Sequence, residues 1–163
     1  PASPIGLVAM LLVDLRDLQK GPVDTVERVP ADAELFAGLE PGLATPLAIE
    51  GRLQPAGESD LFWKGHLAGE VAGSCRRCLA DVRRPVAADV AALFSADPAS
   101  VDDPEVYHLP PRATHVDLAP VVREELLLAV PSFLLCREDC AGLCPKCGAD
   151  LNQGPCGCSV PKA

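Results

Sequence analysis

Eight cysteines in a chain of 163 residues limit the possible folds more than any other feature, because six of them fall between Cys136 and Cys158. They group as Cys75-x-x-Cys78, Cys136-x3-Cys140, Cys144-x-x-Cys147 and Cys156-x-Cys158. A tight C-x-x-C turn can hold two sulfurs roughly 3.5–4 Å apart, the edge of a tetrahedron around a zinc with Zn–S near about 2.3 Å. Gly148, after the second cysteine of Cys144-Pro145-Lys146-Cys147, permits a positive φ that aims backbone N–H groups at sulfur. Eight thiolates then suggest two four-cysteine sites. Cys144, Cys147, Cys156 and Cys158 are close enough in sequence to close one site locally, which leaves Cys136 and Cys140 to join Cys75 and Cys78. The rival grouping of Cys136, Cys140, Cys144 and Cys147 strands two distant pairs. The expectation is two structural zinc ions, in closed sites with no ligand position left for water. Three other readings compete: disulfides, which need an oxidising compartment; an iron–sulfur cluster, which takes the same four thiolates; and C-x-x-C redox chemistry, which normally accompanies a βαβ pattern not seen in this sequence.

With 23 acidic against 14 basic residues, the formal charge is -9. Such a chain lacks the general positive field that drives non-specific binding to nucleic acid or anionic membranes, so a polyanion would have to meet a local patch. Hydrophobic residues make up 48% of the chain but aromatic ones only 4%, so the core must rest on Leu, Val and Ala. The apolar run from Ile5 to Val13 has no basic flank before it or cleavage pattern after it, and is far short of the roughly 20 residues that span a bilayer. A soluble, cytoplasmic protein without membrane contact is expected, where clustered cysteines bind metal more often than they pair.

Met10 to Leu18 alternates imperfectly and reads as a strand. Residues 20–46 carry Pro22, Pro30, Pro41 and Pro46 with several glycines, which leaves room only for short elements. Leu47, Ile49 and Leu53, a turn at Gln54–Glu58, and Leu61 to Val71 read as an antiparallel hairpin, with Val82 to Phe94 as a third strand after the Cys75/Cys78 turn. Acidic residues 97–105 read as a solvated loop. Asp117 is a helix-starting residue, and Leu118, Val121, Val122, Leu126 and Ala129 recur at helical spacing before Pro131. The fold class is therefore α+β: a small antiparallel sheet domain (1–135) with one main helix near 117–130. A zinc-stapled tail (136–163) follows, too small to fold on an apolar core.

The one basic patch is Arg76, Arg77, Arg83 and Arg84 against Asp81. Arginines suit bidentate phosphate contacts, yet beside a four-thiolate zinc they can equally neutralise its charge and donate supporting hydrogen bonds. His66, His108 and His115 are isolated from one another and read as exposed residues rather than ligands. No nucleophile elbow, phosphate-binding glycine loop, H-E-x-x-H or paired catalytic His and acid occurs, so neither an enzyme nor a small-molecule substrate is expected.

Cys75-Arg76-Arg77-Cys78-Leu79, Leu127-Leu128-Ala129-Val130-Pro131 and above all CREDCAGLCPKCGADLNQGPCGC from Cys136 to Cys158 resemble the YceD family, the large ribosomal RNA subunit accumulation proteins. The resemblance runs from about Val13 onward. It implies a role in accumulation or maturation of large-subunit ribosomal RNA in bacteria and plastids, and it implies that some members keep the first four cysteines while lacking the last four. Leu143, Pro145, Gly148, Leu151 and Asn152 are the positions that would shape the tail; no catalytic residue carries over. The alanine- and proline-rich character and the acidic 97–105 loop depart from the family pattern without touching its motif. The expected function is a non-enzymatic factor in large-subunit biogenesis, meeting precursor ribosomal RNA or ribosomal proteins through the four arginines. The alternative is a zinc-stabilised protein adaptor with no RNA contact.

Overall fold

A computed structural model describes residues 11–110 and 112–158, so Met10 and most of the apolar run from Ile5, together with the end of the tail, lie outside the described residues. The centre of the fold is a meander of β4 (Leu47–Pro55), β5 (Asp60–Ser74) and β6 (Asp81–Ser95), in sequence order and antiparallel throughout. Period-two alternation puts Leu47, Ile49 and Leu53, then Trp63, Leu67 and Val71, then Val86, Val90 and Phe94 on one buried face. The other face carries exposed Lys64, His66, Arg83 and Asp89, with His66 Nδ1 2.8 Å from Asp89 Oδ1. One face is packed and one is wet, as an antiparallel sheet allows.

Around the meander, β2 (Val23–Val29) pairs with β4, β3 (Gly42–Leu43) pairs with the far part of β5, and β7 (Val106–His108) runs parallel to the end of β6. The density of breakers in residues 20–46 suggested only short elements, but β2 has seven residues: Pro22 and Pro30 flank it instead of interrupting it. The strand expected over Met10–Leu18 is shorter than its pattern. Only β1 (Leu12–Asp14) is extended, paired with β8 (His115–Asp117), because Arg16 turns back onto Asp14 and a 3-10 turn occupies Asp17–Lys20. Pro85 sits inside β6, at a point where only β5 pairs with that strand, so its missing N–H breaks no ladder.

The helix α1 (Ala119–Ala129) begins two residues after Asp117, whose Oδ1 accepts the Ala119 N–H at 2.9 Å, and Pro120 lies in its first turn. Val121, Val122 and Leu126 are buried, and the helix packs against β6 over the inner face of the sheet. From its opposite side Arg123 donates to the carbonyls of Leu35 and Ala37, tying the 3-10 turn at Glu34–Phe36 to the helix. Among the described residues no helix is long and apolar enough to cross a membrane.

Trp63 sets the sheet's inner packing. It is fully buried, its Nε1–H donates to Thr25 Oγ1 at 3.0 Å, and its ring lies over Gly51 and Gly65, which face each other across β4 and β5. A Cβ on Gly65 would stand 2.5 Å from the Trp63 ring, whereas one on Gly69 would meet Leu47 at an ordinary 3.4 Å. Gly65→Ala is therefore expected to cost about 1–3 kcal/mol by overpacking, with Gly69→Ala much milder. Urea midpoints of the two variants test this; equal midpoints would refute the account of the Trp63 seat.

Candidate metal centres

The turn from β5 to β6 and the turn at Cys144 share one local design. In Cys75-Arg76-Arg77-Cys78-Leu79-Ala80, the Leu79 N–H donates to the Cys75 carbonyl (2.9 Å) and the Cys75 N–H to the Ala80 carbonyl (2.7 Å). In Cys144-Pro145-Lys146-Cys147-Gly148-Ala149, Gly148 donates to the Cys144 carbonyl and Cys144 to the Ala149 carbonyl, both at 2.8 Å. The residue after the second cysteine needs a positive φ: Gly148 adopts +72° freely, whereas Leu79 adopts +64° against the steric preference of an L-residue.

The structure gathers the eight cysteines into Cys75, Cys78, Cys136 and Cys140, and Cys144, Cys147, Cys156 and Cys158, with the sulfurs of each group within 4.8 Å of one another. This is the grouping that spacing favoured, and the Cys136–Cys147 alternative is not formed. In the first cluster Cys75 Sγ lies 3.8 Å from Cys140 Sγ and Cys78 Sγ 3.6 Å from Cys136 Sγ. These separations are too long for a disulfide and match the edge of about 3.8 Å of a tetrahedron with Zn–S bonds of about 2.3 Å. Four sulfurs so close together suit one shared ion, where thiolates bound to separate irons of a cluster would stand farther apart. Each cluster could hold a metal ion.

Backbone N–H groups prepare the sulfurs for negative charge. Burial pushes the Cys75 thiol up, but N–H groups of Cys136, Cys78 and Arg77 outweigh it and bring it to about 6. Backbone donors from Cys147 and Lys146 likewise bring Cys144 to about 6. Their neighbours go the other way: beside Cys140, Cys136 is pushed up to about 12, and beside Cys147, Cys158 to about 11. Without a cation, four thiolates at this spacing repel and some must keep their protons; a central dication would remove that conflict.

The first cluster joins distant parts of the chain. The β5–β6 turn supplies Cys75 and Cys78, and the segment after α1 supplies Cys136 and Cys140. Buried Leu134 bridges to Cys75, and the Arg76 N–H donates to the Leu134 carbonyl at 2.9 Å. Two of the four arginines complete the join. Arg77 Nη1 donates to the carbonyls of Glu138 and Cys140, both at 3.0 Å, and Arg84 Nη2 to those of Leu135 (2.8 Å) and Cys136 (3.0 Å). Arg76 lies over the Phe133 ring, 5.2 Å from its centroid, and Arg83 approaches Glu70 at 4.0 Å. The four do not form one patch, because Arg83 and Arg84 are successive strand residues and take opposite faces of the sheet.

The second cluster is more open, with Cys147 exposed and Cys156 and Cys158 half-buried, against buried Cys75 and Cys140 in the first. Asn152 links the two. Its Oδ1 accepts the Ala141 N–H and Arg137 Nη2, both at 2.8 Å, and its Nδ2 donates to Asp150 Oδ1 and to Cys140 Sγ at 3.5 Å. Spacing among cysteines could not have revealed this clasp, since Asn152 lies in the loop of one cluster and reaches a ligand of the other. His66, His108 and His115 are exposed and stand in neither cluster.

The difference in exposure predicts stepwise metal loss. A chelator should remove metal first from Cys144, Cys147, Cys156 and Cys158, while the sheet keeps its circular dichroism. Cys147→Ser should lower metal content by one equivalent and leave the sheet folded, whereas Cys75→Ser should cost several kcal/mol of global stability. Simultaneous release of both equivalents, read by elemental mass spectrometry, would contradict this order.

A family model described as large ribosomal RNA subunit accumulation protein YceD matches residues 63–163. An uncharacterized protein of Mycobacterium tuberculosis is 32% identical over 113 residues, 67% of this chain and 53% of the relative. An uncharacterized protein of Mycobacterium leprae is 26% identical over 159 residues, covering 91% and 71%. The chloroplastic large ribosomal RNA subunit accumulation protein YCED homolog 1 of Arabidopsis thaliana is 33% identical over 58 residues, 36% of this chain and 18% of the relative. The chain spans about half the length of the Mycobacterium tuberculosis relative, and no solved structure matches it. The matched region holds all but the first three residues of β5, together with β6, α1 and all eight cysteines, and on that match the chain belongs to the YceD family, the large ribosomal RNA subunit accumulation proteins.

Proposed function

We propose that this protein is a non-enzymatic factor in biogenesis of the large ribosomal subunit, acting in the cytoplasm, and that zinc in both cysteine clusters fixes its contact surface. The observation that carries the reading is the family match across the whole cysteine-bearing half of the chain. Tetrahedral spacing of soft thiolate donors, with all four positions filled by protein, supports structural zinc over a metal that binds and activates water. The described part of the tail, residues 136–158, is then folded by its metal.

The partner is precursor large-subunit RNA, ribosomal protein, or both, with no small-molecule substrate and no membrane insertion. Arg77 and Arg84 are engaged in holding the first cluster to the sheet, so their part in partner binding is indirect. Arg76 and Arg83 are exposed, one over the Phe133 ring and one beside Glu70, and they are the arginines we assign to phosphate. A protein adaptor without RNA contact is the second reading, favoured by the exposed apolar side chains of Leu79, Leu127 and Leu128.

Salt separates the two. Phosphate contacts make the logarithm of affinity fall steeply with the logarithm of salt, whereas an apolar protein interface responds weakly. Replacing Arg76 and Arg83 together by Glu is expected to abolish co-sedimentation with large-subunit precursor particles while leaving two metal equivalents per chain. Unchanged co-sedimentation would remove the arginine contact, and binding that resists salt would favour the adaptor.

A further inference from the structure

Phe133 is out of place for a core residue. Its neighbour Leu134 is 4% exposed and locked against Cys75, yet Phe133 is 51% exposed. The backbone on its C-terminal side is nevertheless fixed, tied to Arg76 through Leu134 and to Arg84 through Leu135 and Cys136. Arg76 stacks over the ring, and the same ring lines a cleft of about 460 Å³ with Arg84, Pro85, Pro131, Leu135 and Glu138. That volume is within the range of clefts that take one small ligand, about 300–1,000 Å³.

The chemistry of this cleft is selective. Flat and apolar walls from Phe133, Pro131 and Pro85 suit the face of an aromatic ring. Arg76, stacked on the Phe133 ring, places an exposed guanidinium beside the cleft in a chain whose net charge is -9, whereas Arg84 on the cleft wall is held by the Leu135 and Cys136 carbonyls. Glu138 at the edge disfavours a phosphate inside the cleft but accepts a hydrogen bond from an exocyclic amino group. A stacking surface, a flanking cation and one acceptor are the requirements of an unpaired nucleobase whose phosphates remain outside.

We infer that the cleft beside Phe133 binds an unstacked base of single-stranded RNA, with Phe133 as the stacking surface, Arg76 facing the adjoining phosphate, and Glu138 favouring amino-bearing bases over uracil. This rests on the RNA contact proposed above and specifies where that contact is made and to which kind of RNA. A duplex keeps its bases stacked and presents none to the cleft.

The test uses the metal-loaded full chain and fluorescently labelled RNA: a short single strand containing adenine and cytosine, oligouridylate of equal length, and the duplex of the mixed strand. The mixed single strand should bind more tightly than the other two. Phe133→Ala should weaken it on the order of tenfold without changing the salt slope, because a stacked base carries no counterion. Phe133→Trp should restore binding, and Arg76→Ala should weaken binding and flatten the slope by about 0.7. Metal content must match across the variants. If Phe133→Ala binds as well as the parent while Arg76→Ala is weakened, the cleft is wrong and RNA binding stands. If the parent binds none of the RNAs, both are wrong, and co-sedimentation that still depends on Phe133 would assign the cleft to a protein partner.

Discussion

The join between the β5–β6 turn and the segment after α1 is the constraint on which the rest of the structure depends. Nothing between Cys136 and Cys158 forms a helix or a paired strand longer than a single bridge, and its only buried residues are Cys140, Gly142 and Cys144. Such a segment cannot offset its conformational entropy by burial. Sulfurs held at tetrahedral spacing, N–H groups turned onto them and carbonyls gripped by Arg77 and Arg84 supply what an apolar core would otherwise supply. Because β5 and β6 are fifteen-residue strands in full register, their turn is a stiff base for that join.

This arrangement changes what the basic residues mean. A four-thiolate site around a dication keeps a formal charge of about -2, and cations beside it are stabilising wherever else they reach. Arg77 and Arg84 reach backbone carbonyls across the join, so their first consequence is shape. Arg76 and Arg83 are left on different surfaces, one over an aromatic ring and one beside Glu70. In an acidic chain, any recognition of a polyanion would depend on a few placed charges, which suits a small footprint better than an extended coat.

The meander, the helix and the grouping of the cysteines were legible in the sequence because each obeys a local period: two for β4 to β6, helical for α1, and short fixed gaps for the ligands. What escaped reading depended on contacts remote in sequence. β2 was hidden by the prolines at its ends, and its buried Thr25 makes sense only once Trp63 donates to it from another strand. β7 is three residues long and is extended only because β6 lies beside it. The expected strand at Met10–Leu18 ended early because an ion pair between Asp14 and Arg16 turns the chain, which alternation alone does not reveal. Arg83 and Arg84 read as one patch in sequence and separate in space, since the same alternation that revealed the strand divides them.

Only three residues separate Cys140, the last ligand of one cluster, from Cys144, the first of the other, and Gly142 in that tether crosses so near the first turn that a Cβ on it would stand 3.0 Å from the Arg77 carbonyl. Four residue steps cannot place those two Cα atoms more than about 14 Å apart. Two ions bound here are consequently near neighbours, close enough for paramagnetic replacements such as cobalt to sense one another. The pair can serve as a built-in spectroscopic ruler, reporting from inside the tail whether the two clusters move as one body.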